Sequence, residues 1–163
     1  MLALAVLATA SLHVGAAEAG RVALHIASLE EGRQVLGARD EFVSRMSAFD
    51  RAARLKRRGD VPEEEYLAFA RNSVMAWTDA DRAALRDALG GIQARLDAWR
   101  LPFPARVLVV KTTGREEGGA AYTRGEAIVL PAQKVTQPTE QLRTLIVSVQ
   151  LGRGDEGGGG WYS

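Results

Sequence analysis

The sequence predicts an α+β domain: an N-terminal helical layer packed on a small three-stranded sheet with a hairpin, then a short helix and a Gly-rich disordered tail. Three observations carry this reading. Apolar residues recur at helical spacing from about Leu29 to Arg100. A continuous apolar run, Val107 to Val110, is followed by two short β-type segments joined by a tight turn. After Val147 the sequence becomes SVQLGRGDEGGGGWYS, in which six residues from Gly152 to Gly160 are glycine.

Composition sets the outer bounds. A chain of 163 residues makes one domain of ordinary size, and 47% apolar with 25% charged residues argues against wholesale disorder. The 21 basic and 20 acidic residues give a net charge of +1, so no global field draws the chain to nucleic acid or an anionic membrane. The absence of cysteine removes disulfides, thiolate metal sites and cysteine nucleophiles. Both histidines, His13 and His25, lie near the N-terminus. A catalytic zinc usually has at least one His ligand, so such a site would have to be built from that end.

Leu2 to Val14 is almost wholly apolar and leads into small residues at Gly15, Ala16, Ala17 and Ala19. Val14-Gly15-Ala16 and Ala17-Glu18-Ala19 fit the small-x-small pattern that precedes a signal-peptidase cut. The run is shorter than the roughly 20 residues a bilayer-spanning helix needs. Residues 1–19 are therefore read as a signal peptide, giving a periplasmic or secreted protein with no stable membrane span after cleavage. An ordinary first helix in a cytoplasmic protein is the alternative, because the start lacks Lys and Arg. On the export reading His13 belongs to the discarded segment, and His25 is a surface residue rather than a ligand.

The helical part divides into segments. Phe42, Met46, Phe49 and Ala53 share one helix face, and the helix closes at Gly59 after Arg51 to Arg58, which carry five positive charges. Basic residues in a last turn suit the carbonyl end of the helix dipole, and a phosphate-binding patch is the rival explanation. Asp60 and Glu63 to Glu65 would screen such a patch, so no nucleic-acid partner is expected. Pro62 with the acidic triplet opens a second helix, whose buried stripe is Leu67, Ala70, Val74 and Trp77. Thr78-x-x-Asp81 starts a third, carrying Leu85, Leu89, Ile92, Leu96 and Trp99, and Gly90-Gly91 is where it bends.

Leu101-Pro102-Phe103-Pro104 ends the helical part. Arg106 to Thr112 is a strand covered on both faces. The Gly114–Gly119 loop lacks the Gly-Lys-Ser/Thr of a phosphate loop. Ala120–Thr123 and Glu126–Leu130 form a hairpin turning at Arg124-Gly125, with Tyr122, Arg124 and Glu126 around the turn as possible ligand contacts. Pro131 places the second strand at an edge of the sheet. A helix starts at Pro138-Thr139-Glu140 and buries Leu142, Leu145 and Ile146.

Several of these segments resemble exported bacterial proteins related to zincin-type zinc metallopeptidases. The resemblance covers roughly Ala38 to Val147 and rests on FDRAARL from Phe49, AWT from Ala76 and VKTTG from Val110. GGAAYTRG from Gly118, AIVLP from Ala127 and LIV at Leu145 complete it. It implies a single incomplete zincin-like domain over residues 20–147, and the Gly-rich composition makes 148–163 a disordered tail. In that family the apolar turn runs into H-E-x-x-H, whose histidines bind zinc while the glutamate activates the metal-bound water. Here the matching positions hold Ser148, Val149 and Gly152, none of which can serve. The resemblance also implies that Ala127, Ile128, Val129 and Leu130 form the strand lining the substrate groove.

These readings give a non-catalytic or truncated relative of a periplasmic or secreted zinc metallopeptidase, with no catalytic residues, no metal ligands and no cofactor of its own. Zinc belongs to the intact relatives. The abrupt Gly-rich ending is read as a frameshift or truncation, with a genuine flexible tail as the competing view. Two alternatives remain: a module that binds an extended peptide along the 126–130 edge, and a nucleic-acid binder using Arg51 to Arg58.

Overall fold

Capping residues cut the helical part of the chain into more pieces than its apolar period suggests. The structure is a computed structural model that describes residues 23–100 and 106–156. The expected signal peptide, the Leu101–Pro104 break and the last seven residues lie outside the described residues. Ser28 starts α1 (Leu29–Gly37) with a capping box: its hydroxyl accepts the Glu31 amide while Glu31 accepts the Ser28 amide. Asp40 caps α2 (Glu41–Ser44), and Ser47 with Asp50 caps α3 (Ala48–Arg54). The Phe42-to-Ala53 stripe therefore spans two short helices rather than one. Phe49, at the start of the second, is 79% exposed.

The other helices start close to their expected positions, but α4 ends at Ser73, so Val74 and Trp77 of its expected stripe lie beyond the helix and Tyr66 is buried in it instead. α4 (Glu63–Ser73) follows Pro62, with three carboxylates in its first turn. α5 (Asp79–Gly90) has the Thr78–Asp81 capping box. The bend expected at Gly90-Gly91 is a full break, and α6 (Ile92–Trp99) begins beyond Gly91. Leu85, Leu89, Ile92 and Leu96 are buried, but Trp99, the last member of the stripe, is 58% exposed where α6 ends.

Among the described residues four strands, not three, make the sheet. β1 (Ala23–Ile26), β2 (Arg106–Thr112), β3 (Tyr122–Arg124) and β4 (Ala127–Pro131) are ordered β1-β2-β4-β3. β1, β2 and β4 run parallel, and β3 is antiparallel to β4. β1 is the strand the sequence reading missed; Leu24 and Ile26 pack towards one core while His25 sits on the opposite face. After a 3₁₀ turn at Arg115–Glu117 and the β3–β4 hairpin come α7 (Ala132–Val135) and α8 (Thr139–Glu156).

Cross-strand partners share a face, so the register assigns each side chain to a layer. Val110, Val129, Ala127 and Tyr122 pack against Leu36, Val43, Tyr66, Ala70 and Val74 from the first half of the chain. Val107, Val109, Ile128 and Leu130 pack against Leu85, Leu89, Ile92 and Leu96, and against Leu142, Ile146 and Val149 of α8. Helices thus cover both faces of an α+β fold, as expected for Arg106 to Thr112, with α5, α6 and α8 forming a layer beyond the expected N-terminal one. That explains why β2 and β4 read as continuous apolar runs.

Candidate functional site

The residues expected to line a groove lie inside the sheet. Ala127, Ile128, Val129 and Leu130 are all buried, and β4 is bonded to β2 on one side and β3 on the other. Pro131 does not put this strand at the edge because it is the last residue of β4. The pairing with β3 ends at Val129, so no donor is required of Pro131 on that side. Strand addition along 126–130 is therefore blocked by the chain's own β2 and β3. β3 is the outermost strand on this side of the sheet.

The hairpin turn lies one residue later than expected. Arg124 pairs with Ala127, leaving Gly125-Glu126 as the two-residue loop, with Gly125 at φ +52°. The shift turns Arg124 from a turn residue into a strand residue. Arg124 and Tyr122 are buried rather than offered to a ligand, and only Glu126 is exposed. Arg124 Nε donates to Asp40 Oδ2 at 2.8 Å, and its Nη2 donates to the carbonyls of Ala38 at 2.8 Å and Leu36 at 3.4 Å. Its guanidinium lies 5.5 Å from the centre of the Phe42 ring, which also stacks on Tyr122. The arginine fastens the α1–α2 connection to β3.

Next to it lies a second buried polar group that the sequence did not reveal. Glu117 accepts both contacts from Arg54 Nε, at 2.9 and 3.0 Å, and a 2.8 Å bond from the Tyr66 hydroxyl. Burial pushes the Glu117 carboxyl up, against the opposing pull of Arg54 and Tyr66. Tyr122 donates to Glu116 Oε1 at 3.3 Å. Burial also raises both phenols, which removes them as acids or nucleophiles near neutral pH. Glu116 Oε2 and Arg124 Nη1 are buried without a partner among the described residues. These groups tie the 113–119 loop to α3 and α4, and all of them except Arg54, which lines an open cleft, are closed to solvent.

Two clefts are open to solvent near these elements. One, of about 510 Å³, lies over the β1 end of the sheet and takes in His25, Glu31, Arg106 and Glu126. His25 Nε2 lies 3.3 Å from Glu31 Oε1, so the expected surface histidine is half-buried and paired. Glu31 is held below its ordinary value first by the Ser28 amide, which it caps. The other cleft, of about 630 Å³, lies between the end of α3 and the 113–119 loop.

The basic run is partly consumed within the fold. Arg51 donates to the carbonyls of Val61 and Met46, Arg54 pairs with Glu117, and Arg57 pairs with Glu65. α8 does not stop at Val147: it runs to Glu156, so the expected tail is helical in its first part. Ser148 is half-buried, Val149 is buried in the core, and Gly152 falls within the same helix. The residues present do not fit a zinc ion at these positions, because no nitrogen or carboxylate ligand is supplied. Among the described residues no helix is long and apolar enough to cross a membrane.

Compared with known proteins, the chain matches no family model, no curated protein and no solved structure.

Proposed function

We propose that the chain is a non-catalytic relative of exported zinc metallopeptidases, a folded domain whose helix after the hairpin lacks the groups that would hold a metal and polarise water. The observation that carries this reading is Val149. It matches the place of the motif's glutamate in the resemblance, and it is an apolar side chain, 1% exposed, packed among core residues. Ser148 and Gly152 match the two histidine places and offer no ligand nitrogen. Export to the periplasm or medium belongs to the same proposal and rests on the apolar first segment with its small-x-small pattern.

The test is metal analysis and peptidase assay of the purified, tag-free chain. Zinc well below one equivalent after dialysis is expected, with no hydrolysis of unstructured protein that a chelator abolishes. Stoichiometric zinc, or chelator-sensitive hydrolysis by this chain alone, would overturn the reading.

A further inference from the structure

The cleft between α3 and the 113–119 loop carries two positive side chains that make no ion pair among the described residues. Lys56 and Arg115 both line it, both are exposed, and neither has an ion-pair partner among the described residues. Among the described residues no Asp or Glu lines it. Three acids of this region are turned to other cations, Glu63 to Arg39, Glu65 to Arg57 and Glu117 to Arg54, and neither Asp60, Glu64 nor Glu116 lines the cleft.

Lys56 is the telling residue. It follows the α3 cap with φ at +53°, in the left-handed region where glycine is the unstrained choice. Gly59, three residues on, shows that the same loop uses glycine for such a conformation elsewhere. Arg100 adopts the same conformation at the end of α6, so the backbone alone marks no site; at Lys56 it coincides with a side chain that lines the cleft. Gln133 adds an amide from the opposite wall, close enough that a Cβ on Gly119 would meet its Nε2 at 2.8 Å. Leu55 and Phe69 supply an apolar wall. The loop's own amides are largely committed: Gly114 N–H to Thr112 Oγ1, Gly119 N–H to the Gly114 carbonyl and Ala120 N–H to the Glu117 carbonyl. Recognition here therefore falls to side chains.

We propose that this cleft binds a small organic ligand with a doubly negative head, of the phosphate-monoester class. Two unneutralised cations match two charges. The Arg115 guanidinium fork suits tetrahedral oxyanion oxygens, and Lys56 adds a point charge. The Leu55–Phe69 wall takes the apolar body of the ester. Two free cations are too few for a nucleic-acid backbone, whose affinity grows with the number of phosphates neutralised. The proposal rests on the cleft alone and stands or falls separately from the metallopeptidase resemblance.

Calorimetric titration of the full chain with phenyl phosphate, at fixed ionic strength in sodium chloride, tests it. Saturable one-site binding is expected, with phenol binding undetectably. Lys56→Gly should weaken phenyl phosphate by about tenfold or more, as loss of a charge-assisted contact does. Its thermal midpoint should not fall, because glycine removes the backbone strain. Arg115→Gln should weaken binding to a similar degree with the midpoint unchanged. The site is refuted if phenyl phosphate gives no heat beyond the chloride background, if phenol binds as well, or if both variants bind like the parent.

Discussion

Asp81 shows how one side chain serves two elements. Its carboxylate accepts the Thr78 amide to start α5, and Oδ2 also accepts from Lys111 Nζ of β2 at 2.6 Å in a site that is nearly closed to solvent. Burial pushes this carboxyl up, but the Lys111 ammonium and the Thr78 contacts outweigh it and hold it below the ordinary 3.8. A folded-state value below the unfolded one means the stabilisation is full above the unfolded value. It is lost as pH falls through the lower folded one. Asp81→Asn keeps a capping side chain but leaves a buried ammonium unpaired, a change that costs about 3–5 kcal/mol in comparable buried pairs. Urea unfolding at pH 7 should show that loss, and the difference between variant and parent should shrink as the pH is taken below 3.8. An equal difference at every pH would show that the Lys111 pair is not its source.

At the scale of elements, the junction of α5 and α6 gives two neighbouring glycines opposite roles. Gly90 ends α5 with nothing within 4 Å of where a Cβ would stand, whereas a Cβ on Gly91 would clash with the Arg143 guanidinium. That guanidinium reaches from α8 to donate to the carbonyl of Ala88 at 2.8 Å and to that of Asp87 at 3.1 Å, satisfying the end of α5. Gly90→Ala should stabilise by about 0.5–1 kcal/mol through helix propensity and unfolded-state entropy. Gly91→Ala displaces Arg143 and forfeits charge-assisted bonds worth about 1.5–3 kcal/mol, so its net effect should be a loss near 1 kcal/mol. Chemical denaturation of the pair should give changes of opposite sign; the same sign for both would remove Arg143 from the account. The sequence made this break visible as a bend, because two adjacent glycines weaken any helix. It did not show that a distant arginine caps the break, since a contact between residues 88 and 143 leaves no local period. The same limit hid the burial of Arg124. A one-residue error at a tight turn moves a side chain from the loop into the strand, and only the pairing with Ala127 corrects it.

For the whole molecule, the division into two cores decides what each half of the chain contributes. The stripe from Leu85 to Leu96 was legible because four large apolar residues at helical spacing can hardly face water. The helix start at Thr78 was legible from its capping pair, and the one at Pro62 from a proline followed by three carboxylates. The order β1-β2-β4-β3 was not, because parallel pairing joins residues some 80 positions apart, such as His25 with Leu108. β1 itself has four residues and lies next to an apolar run read as a targeting segment. The end of the chain shows the same tension between composition and packing. Glycine-rich composition predicts a structureless tail from Ser148, yet α8 continues, with Val149 buried and Leu151 packed against the same core. A polypeptide ending at Val147 would therefore lose part of the layer that covers Ile128 and Leu130, not a mere appendage. Removing one buried valine and one partly buried leucine should cost about 2–4 kcal/mol by apolar transfer, and the uncovered sheet face should bind a hydrophobic dye. Equilibrium unfolding and dye fluorescence of the 1–147 chain beside the full chain measure both. Unchanged stability with no added dye binding would mean that α8 beyond Val147 adds nothing to the core, and Val149 would lose its place in the functional argument as well.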